Sequence, residues 1–226
     1  METCPYAAPG SVLAPLFYGF FRGPSGDVQP HKEEVMRNLR VLLMIEIAIF
    51  GALGFVLDFV AFKMPQGGSV SLVMIPIILM AFRRGVAAGV LTGVLVGLLQ
   101  IVTGVISVTP LSFGFVVMQV ILDYLLAYGL VGLAGVMRGE YFKAYRNKKT
   151  GKMIAAIIIG VLIGSVLRYV MHVITGILFF GMFAEGNVVI YSVVYNATYM
   201  IPVFLLAAAV CSALFAAAPK LVDAEA

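Results

Sequence analysis

The chain has 226 residues, of which 62% are hydrophobic and only 12% charged, and its mean hydropathy is +1.07. This composition excludes an ordinary water-soluble domain and indicates that the lipid bilayer is the solvent. A crossing needs about 20 apolar residues, so the chain has room for six crossings and none for a large soluble catalytic domain. The net charge of +4 does not imply nucleic acid, because in a membrane protein the positions of the charges carry the information.

Six apolar stretches, separated by charged and turn residues, predict an all-α integral membrane protein with six transmembrane helices. The second stretch has only about 13 residues, which predicts a short or protein-shielded helix entered through an irregular loop. In chain order the stretches are Leu39–Phe62, Val70–Phe82, Val86–Val108, Leu111–Val136, Met153–Phe183 and Val188–Phe215.

Basic residues predict the orientation of these spans. They precede the first span, fill the second and fourth connections, and follow the last span, whereas the odd-numbered connections hold only Lys63. The positive-inside rule therefore predicts that both termini are cytoplasmic, as in a multi-pass protein of the prokaryotic cell membrane. Residues 36–226 form the predicted membrane domain, and residues 1–35 are expected to be a poorly ordered or interface-lying tail.

Five ionisable side chains fall within the predicted spans, where an unpaired charge costs several kcal/mol. Asp123 and His172 lie roughly 18 and 16 Å below the outer surface, by the 1.5 Å rise per residue of a helix. Arg168 is one turn from His172 on the same face. The remaining two, Glu46 and Asp58, are near span ends, and we expect them to snorkel to the interface.

Span six adds Tyr191, Tyr195 and Asn196 at the outer side of the level of Asp123 and His172. A carboxylate, a cation, an imidazole, an amide and phenols suit a small heterocyclic ligand in an outward-open pocket. Phenylalanines near the outer end of span five, Phe179, Phe180 and Phe183, are available to stack on a flat or cationic ring. The alternative is an internal ion pair of Asp123 with Arg168 and tyrosines of the interface belt.

Small residues predict close helix contacts at two places. In span one, Ala48 and Ala52 form a small-xxx-small pair, which serves either packing within the bundle or docking of a partner. In span three, Gly89, Gly93 and Gly97 form a smooth ridge that we interpret as packing inside the bundle.

Several motifs are absent from the sequence. No phosphate-binding loop occurs, so any drive by ATP must come from partner subunits. No protease or hydrolase signature occurs, and Cys4 and Cys211 form neither a disulfide framework nor a metal spacing. We therefore expect no enzyme activity, no metal and no cofactor.

Five segments together resemble one family, the thiamine-specific substrate-binding (S) components of energy-coupling factor transporters, known as the ThiT or YuaJ family. The resemblance spans about Leu39 to Leu221. Its most specific segments are Pro65 to Leu72, Phe82-Arg83-Arg84-Gly85, Asp123-Tyr124, Arg168-Tyr169-x-x-His172 and Tyr191-Ser192-x-x-x-Asn196.

The resemblance implies a six-helix S-component fold that binds thiamine and works with a transmembrane component and two cytoplasmic ATPases. It implies ligand-binding positions, a lid loop at Gly67, Gly68 and Ser71, and partner docking through Ala48 and Ala52. Asp123, Arg168 and Phe180 replace Glu, Lys and Trp of a well-known member, and Gly67 and Ser71 replace Trp and Glu. The implied ligand-binding residues are Asp123, Tyr124, Arg168, His172, Phe180, Tyr191 and Asn196.

Three readings of function stay open on the sequence. The first is an S component for thiamine or for a precursor such as hydroxymethylpyrimidine. The second is a stand-alone transporter with Asp123 or His172 as its proton site. The third is a structural membrane protein without a saturable ligand.

Overall fold

A computed structural model describes residues 30–65 and 67–223 of the chain. The expectation that residues 1–35 form a tail concerns mostly residues outside the described part of the chain. In the described part, the first helix begins at Pro30, inside the predicted tail. The described chain forms six main helices and a two-stranded hairpin, which confirms the predicted all-helical membrane fold.

The six helices follow the predicted order with shifted bounds. They are α1 (Pro30–Asp58), α2 (Met74–Arg84), α3 (Val86–Val102), α4 (Phe113–Arg146), α5 (Thr150–Phe179) and α6 (Val188–Ala217). Four of them, α1, α4, α5 and α6, are long and apolar enough to cross a bilayer.

The short second helix was anticipated, and its packing explains how so short a helix is accommodated. All residues of α2 from Met74 to Phe82 are buried by the surrounding helices. A helix shielded on all sides by protein need not match the thickness of the hydrocarbon. Gly85, with φ of 93°, then reverses the chain into α3.

The predicted third span is too long by six residues. Helix α3 ends at Val102, and Gly104 with φ of 72° turns the chain away from the helix axis. The segment 103–112 is a loop, closed at its start by a hydrogen bond from Val105 N to Gln100 O of 2.9 Å. First-span residues beyond Asp58 also leave the helix, and strand β1 (Phe62–Lys63) pairs antiparallel with β2 (Ser69–Val70).

The glycine ridge of α3 packs inside the bundle, as predicted. A Cβ added at Gly93 would lie 2.1 Å from the carbonyl oxygen of Tyr128, and one at Gly97 would lie 2.2 Å from that of Tyr124. No side chain larger than hydrogen fits at either position, so α3 and α4 are in backbone contact.

The bundle has two chemically different ends. At one end lie the hairpin, the loop 103–112 and the loop between α5 and α6. At the other end Glu46 accepts hydrogen bonds from Arg84 Nε at 2.6 Å and Arg83 Nη2 at 3.0 Å. Arg83 Nη1 also donates to the carbonyl oxygens of Leu221 and Asp223, both at 3.0 Å, which ties the C-terminal segment to α1 and α2.

Glu46 therefore does not snorkel to the interface as expected. Its side chain is 13% exposed and is neutralised by two arginines of α2. The cause is tertiary: α1 and α2 lie side by side, so the arginines that end α2 reach the carboxylate of α1.

Candidate functional site

A cavity of about 720 Å³ lies at the end of the bundle that carries the hairpin. Its walls come from the hairpin loop, the loop 103–112 and the pocket-end turns of α4, α5 and α6. Each of the seven ligand-binding positions implied by the sequence contributes to the lining: Asp123, Tyr124, Arg168, His172, Phe180, Tyr191 and Asn196.

Asp123 anchors a chain of polar contacts in the floor of this cavity. Its Oδ1 accepts a hydrogen bond from Thr175 Oγ1 at 2.5 Å and lies 2.9 Å from His172 Nδ1. Arg168 Nε donates to His172 Nε2 at 3.2 Å. Since Arg168 has only donors, His172 must accept at Nε2 and therefore donates from Nδ1 to Asp123.

The direct ion pair of Asp123 with Arg168, which the sequence left as an alternative, is not formed; the imidazole of His172 connects the two side chains instead. Asp123 and His172 meet because their positions on α4 and α5 lie at the same depth, as the helix rise predicts. Arg168 is 4% exposed, and its guanidinium carbon lies 4.3 Å from the ring centroid of Tyr128. Arg168 Nη1 is buried and has no hydrogen-bond partner among the described residues.

A widened turn of α4 presents Asp123 and Tyr124 to the cavity. Residues Ile121–Leu126 are π-helical, with α-helix on both sides. Such turns insert one extra residue into a helix and commonly occur at functional sites. Tyr124 is held from the other side, since the backbone N–H of Ser107 donates to its phenolic oxygen at 2.6 Å.

Three tyrosines one turn apart on α6 form an aromatic wall. The rings of Tyr191 and Tyr195 are nearly parallel with centroids 5.8 Å apart, and Tyr199 meets Tyr195 edge-on at 6.2 Å. Phe180 and Phe183 add a second pair of rings, with centroids 6.2 Å apart. The cavity therefore offers aromatic faces of the kind that bind flat or cationic rings.

The amide of Asn196 is largely engaged within the protein. Its Nδ2 donates to the carbonyl oxygens of Ser192 at 2.8 Å and His172 at 3.2 Å. Its Oδ1 accepts from the hydroxyl of Tyr199. Asn196 thus joins α5 to α6 and holds Tyr199, and one lone pair of its oxygen remains for a further donor.

The hairpin loop closes over the cavity against α6. Gly67 and Gly68 adopt φ of 94° and 83°, a region that favours glycine. A Cβ at Gly68 would lie 2.5 Å from the ring of Tyr199, and the hydroxyl of Tyr195 donates to the carbonyl oxygen of Gly67 at 3.0 Å.

The other implied lid and docking residues lie away from the cavity lining. Ser71 is 5% exposed, in the turn between β2 and α2. Ala48 and Ala52 are exposed on the outer face of α1, so packing within the described bundle does not account for them. Gly51 and Gly54 are the buried small residues of that helix.

Sequence reasoning missed several lining residues, and its expectation for Asp58 was wrong. Asp58 is 6% exposed and lines the cavity instead of snorkelling. Its position was readable, because it follows Gly51 and Gly54 at spacings of seven and four on one helix face. Tyr199 likewise continues the four-residue spacing of Tyr191 and Tyr195. Further polar lining residues that the sequence did not single out include Gln100, Ser107, Thr109, Tyr128 and Thr175.

The described side chains do not form an evident metal-binding site. Within residues 30–65 and 67–223, no group of three or more His, Cys, Asp or Glu side chains is placed to hold an ion. Cys211 is buried on α6 and unpaired.

Fold and site together define a multi-pass helical membrane protein with a polar, aromatic-walled cavity at one end of its bundle, the architecture of a membrane binding or transport protein. A family model described as thiamine transporter protein (Thia_YuaJ) matches residues 44–223. The chain belongs to this family, as the sequence resemblance predicted.

Individual relatives agree with this assignment. Thiamine transporter ThiT of Bacillus subtilis (strain 168) is 45% identical over 194 residues, covering 84% of this chain and 98% of the relative. Thiamine transporter ThiT of Lacticaseibacillus paracasei is 30% identical over 202 residues, covering 84% and 95%. A solved structure of ThiT from Listeria monocytogenes matches with a TM-score of 0.73 at 31% identity, covering 81% of this chain and 98% of that one. These relatives are named transporters, in agreement with the expectation that the chain is not an enzyme.

Proposed function

We propose that this protein binds thiamine in the cavity and serves its uptake across the cell membrane. The observation that carries the proposal is the cavity itself, in a chain of the thiamine transporter family: a carboxylate fixed by two polar neighbours faces a wall of aromatic rings. Thiamine combines a hydrogen-bonding aminopyrimidine with a cationic thiazolium, so it needs both kinds of surface.

Asp123 is the proposed acceptor for the exocyclic amine of the aminopyrimidine. Its Oδ1 already binds Thr175 and His172, whereas its Oδ2 carries no hydrogen bond from the described residues. The two neighbours hold the carboxylate in one orientation before the ligand arrives, which lowers the entropic cost of binding. Tyr191 and Asn196 flank the pyrimidine edge in this arrangement, with Tyr124 nearby, while His172 and Phe180 flank the thiazolium.

The cavity faces the outside of the cell in this proposal, and both termini are cytoplasmic. In support, the basic residues of the second and fourth connections lie at the end opposite the cavity, and among the residues that the structure describes only Lys63 is an exposed basic residue at the cavity end. The positive-inside rule places the more basic end in the cytoplasm.

Transport is proposed to be driven by partners, namely an energy-coupling factor transmembrane component and two cytoplasmic ATPases. The sequence supports this because it contains no phosphate-binding loop. The proposed docking surface is the exposed pair Ala48 and Ala52 on α1, where small side chains permit close approach of another helix within the lipid.

Isothermal titration of the detergent-purified protein with thiamine tests the ligand. We expect stoichiometric, submicromolar binding, and a loss of affinity of at least about tenfold in Asp123→Asn, since a charged hydrogen-bond acceptor is removed. Glu140→Gln removes an exposed acid from the same helix at its opposite end and should leave the affinity unchanged. Unchanged thiamine affinity in Asp123→Asn would contradict the role assigned to Asp123. If the wild type releases heat of binding with hydroxymethylpyrimidine but not with thiamine, the ligand is the precursor and not thiamine.

Uptake into vesicles, with and without the partner subunits and ATP, tests the energy source. We expect uptake only with both, and Ala48→Leu or Ala52→Leu should abolish co-purification with the transmembrane partner while thiamine binding persists. Uptake driven by a proton gradient in the absence of ATP would make the protein a stand-alone transporter.

A further inference from the structure

Asp58 is a buried acid in the cavity wall that the proposed contacts above do not use. It is the last residue of α1, it is 6% exposed, and it lines the same cavity as Asp123. Its Oδ1 is buried without a hydrogen-bond partner among the described residues, and Asp58 forms no ion pair with any of them. Removing a carboxylate from water in this way is costly unless a positive charge or donors compensate it.

The position at a helix end adds to this cost. The last turn of α1 carries the negative end of the helix dipole, which disfavours an acidic side chain there. An acid at this place and at this burial stabilises neither the helix nor the core. A cation in the cavity would satisfy both the carboxylate and the helix terminus.

The charges lining the cavity are also unbalanced without a ligand. In the buried part, Asp123 is compensated by Arg168 through His172, and Asp58 has no such counterpart. Lys63 lines the cavity as well, but it is exposed on β1 and therefore well hydrated. One buried negative charge remains, which suits a ligand with a single positive charge.

We propose that Asp58 is a specificity-determining residue, whose carboxylate selects the positive ring charge of the ligand while the Asp123 relay binds its hydrogen-bonding ring. The assignment rests on the proposed function, since it takes thiamine as the ligand. Recognition is thus divided between two acids: Asp123 accepts hydrogen bonds from the donors of the ligand, and Asp58 attracts its positive charge. A neutral ligand of the same shape gains nothing from Asp58.

A cycle of two ligands and two proteins tests this division by titration calorimetry. The ligands are thiamine and deazathiamine, in which a neutral thiophene replaces the thiazolium, and the proteins are the wild type and Asp58→Asn. We expect Asp58→Asn to lower thiamine affinity by at least about tenfold and to change deazathiamine affinity by less than about threefold. Glu185→Gln, which removes an exposed acid at the same end outside the cavity lining, should affect neither ligand.

Each other outcome overturns the assignment in a distinguishable way. If Asp58→Asn loses the same affinity for both ligands, Asp58 has a structural role. If it loses affinity for neither ligand, Asp58 has no role in binding. Failure of the wild type to bind thiamine would overturn the proposed function together with this inference. Retained deazathiamine binding in Asp58→Asn also shows that the variant is folded, and Asp58→Glu should restore part of the thiamine affinity.

Discussion

Tyr195→Phe removes one hydroxyl that holds the hairpin loop over the cavity. That hydroxyl donates to the carbonyl oxygen of Gly67 at 3.0 Å, a contact between residues 128 positions apart in the chain. The ring itself remains, so its packing against Tyr191 and Tyr199 is preserved. If the loop is the lid of the cavity, the closed state loses this hydrogen bond while the open state loses nothing.

The size of the effect follows from the environment of the bond. A hydrogen bond between neutral groups contributes about 0.5–1.5 kcal/mol net. With RT of about 0.59 kcal/mol, this corresponds to roughly a 2- to 13-fold larger open fraction. Gly67 is only partly buried, so water replaces the lost donor in part, and we expect the lower half of this range.

Dissociation of radiolabelled thiamine after dilution into excess unlabelled ligand measures the opening directly, because the protein contains no Trp to report by fluorescence. We expect a dissociation rate about three- to fivefold faster in Tyr195→Phe. Tyr169→Phe is the matched control: its hydroxyl also donates to a backbone carbonyl, that of Val193 at 2.9 Å, but between α5 and α6 and away from the loop.

An unchanged dissociation rate in Tyr195→Phe would refute the view that this loop gates the cavity. Equal acceleration in both variants would point instead to a general loosening of α5 against α6.

Two further predictions concern the stability of the bundle. Gly97→Ala places a Cβ 2.2 Å from the carbonyl oxygen of Tyr124, so we expect a clear fall in Tm in detergent. Gly114→Ala is the control, because Gly114 has open space around it, and it should leave Tm unchanged or raise it. An unchanged Tm in Gly97→Ala would contradict the backbone contact of α3 with α4. Glu46→Gln removes the negative charge from a site that is only 13% exposed and leaves two arginines unneutralised, so thermal unfolding should start at a lower temperature. Glu140→Gln breaks an ion pair of 3.7 Å that is more than half exposed and should not shift Tm; equal shifts in the two glutamate variants would argue against a structural role of the buried pair.

Much of the site was readable from the sequence because helices convert spacing into direction and depth. Asp123 and His172 lie at one level by residue counting, and Arg168 shares a face with His172 by its spacing of four. The same rule extends the aromatic wall from Tyr195 to Tyr199. The relay through His172 was not readable, because it depends on side-chain rotamers at the contact of α4 with α5.

The loops that close the cavity were not predicted from the sequence, for a different reason. Apolar residues continue past the ends of α1 and α3, so hydropathy extended both spans beyond Asp58 and Val102. The helices end there because of local backbone geometry, marked in α3 by Gly104. Several of these apolar residues stay exposed beyond the helix end, with Phe59 at 64% and Val60 at 81%, so their hydropathy resembles that of a membrane span.

The sequence by itself determined the solvent, the number of helices, the short second helix and the family, because these depend on composition, on residue spacing and on motifs within single segments. Only the tertiary structure decided which charges are neutralised. Glu46 and Asp58 look alike in sequence, as acids near the two ends of the predicted first span. The packing of α2 brings two arginines to Glu46 and brings none to Asp58, since the energy of a buried charge depends on neighbours that are distant in the chain.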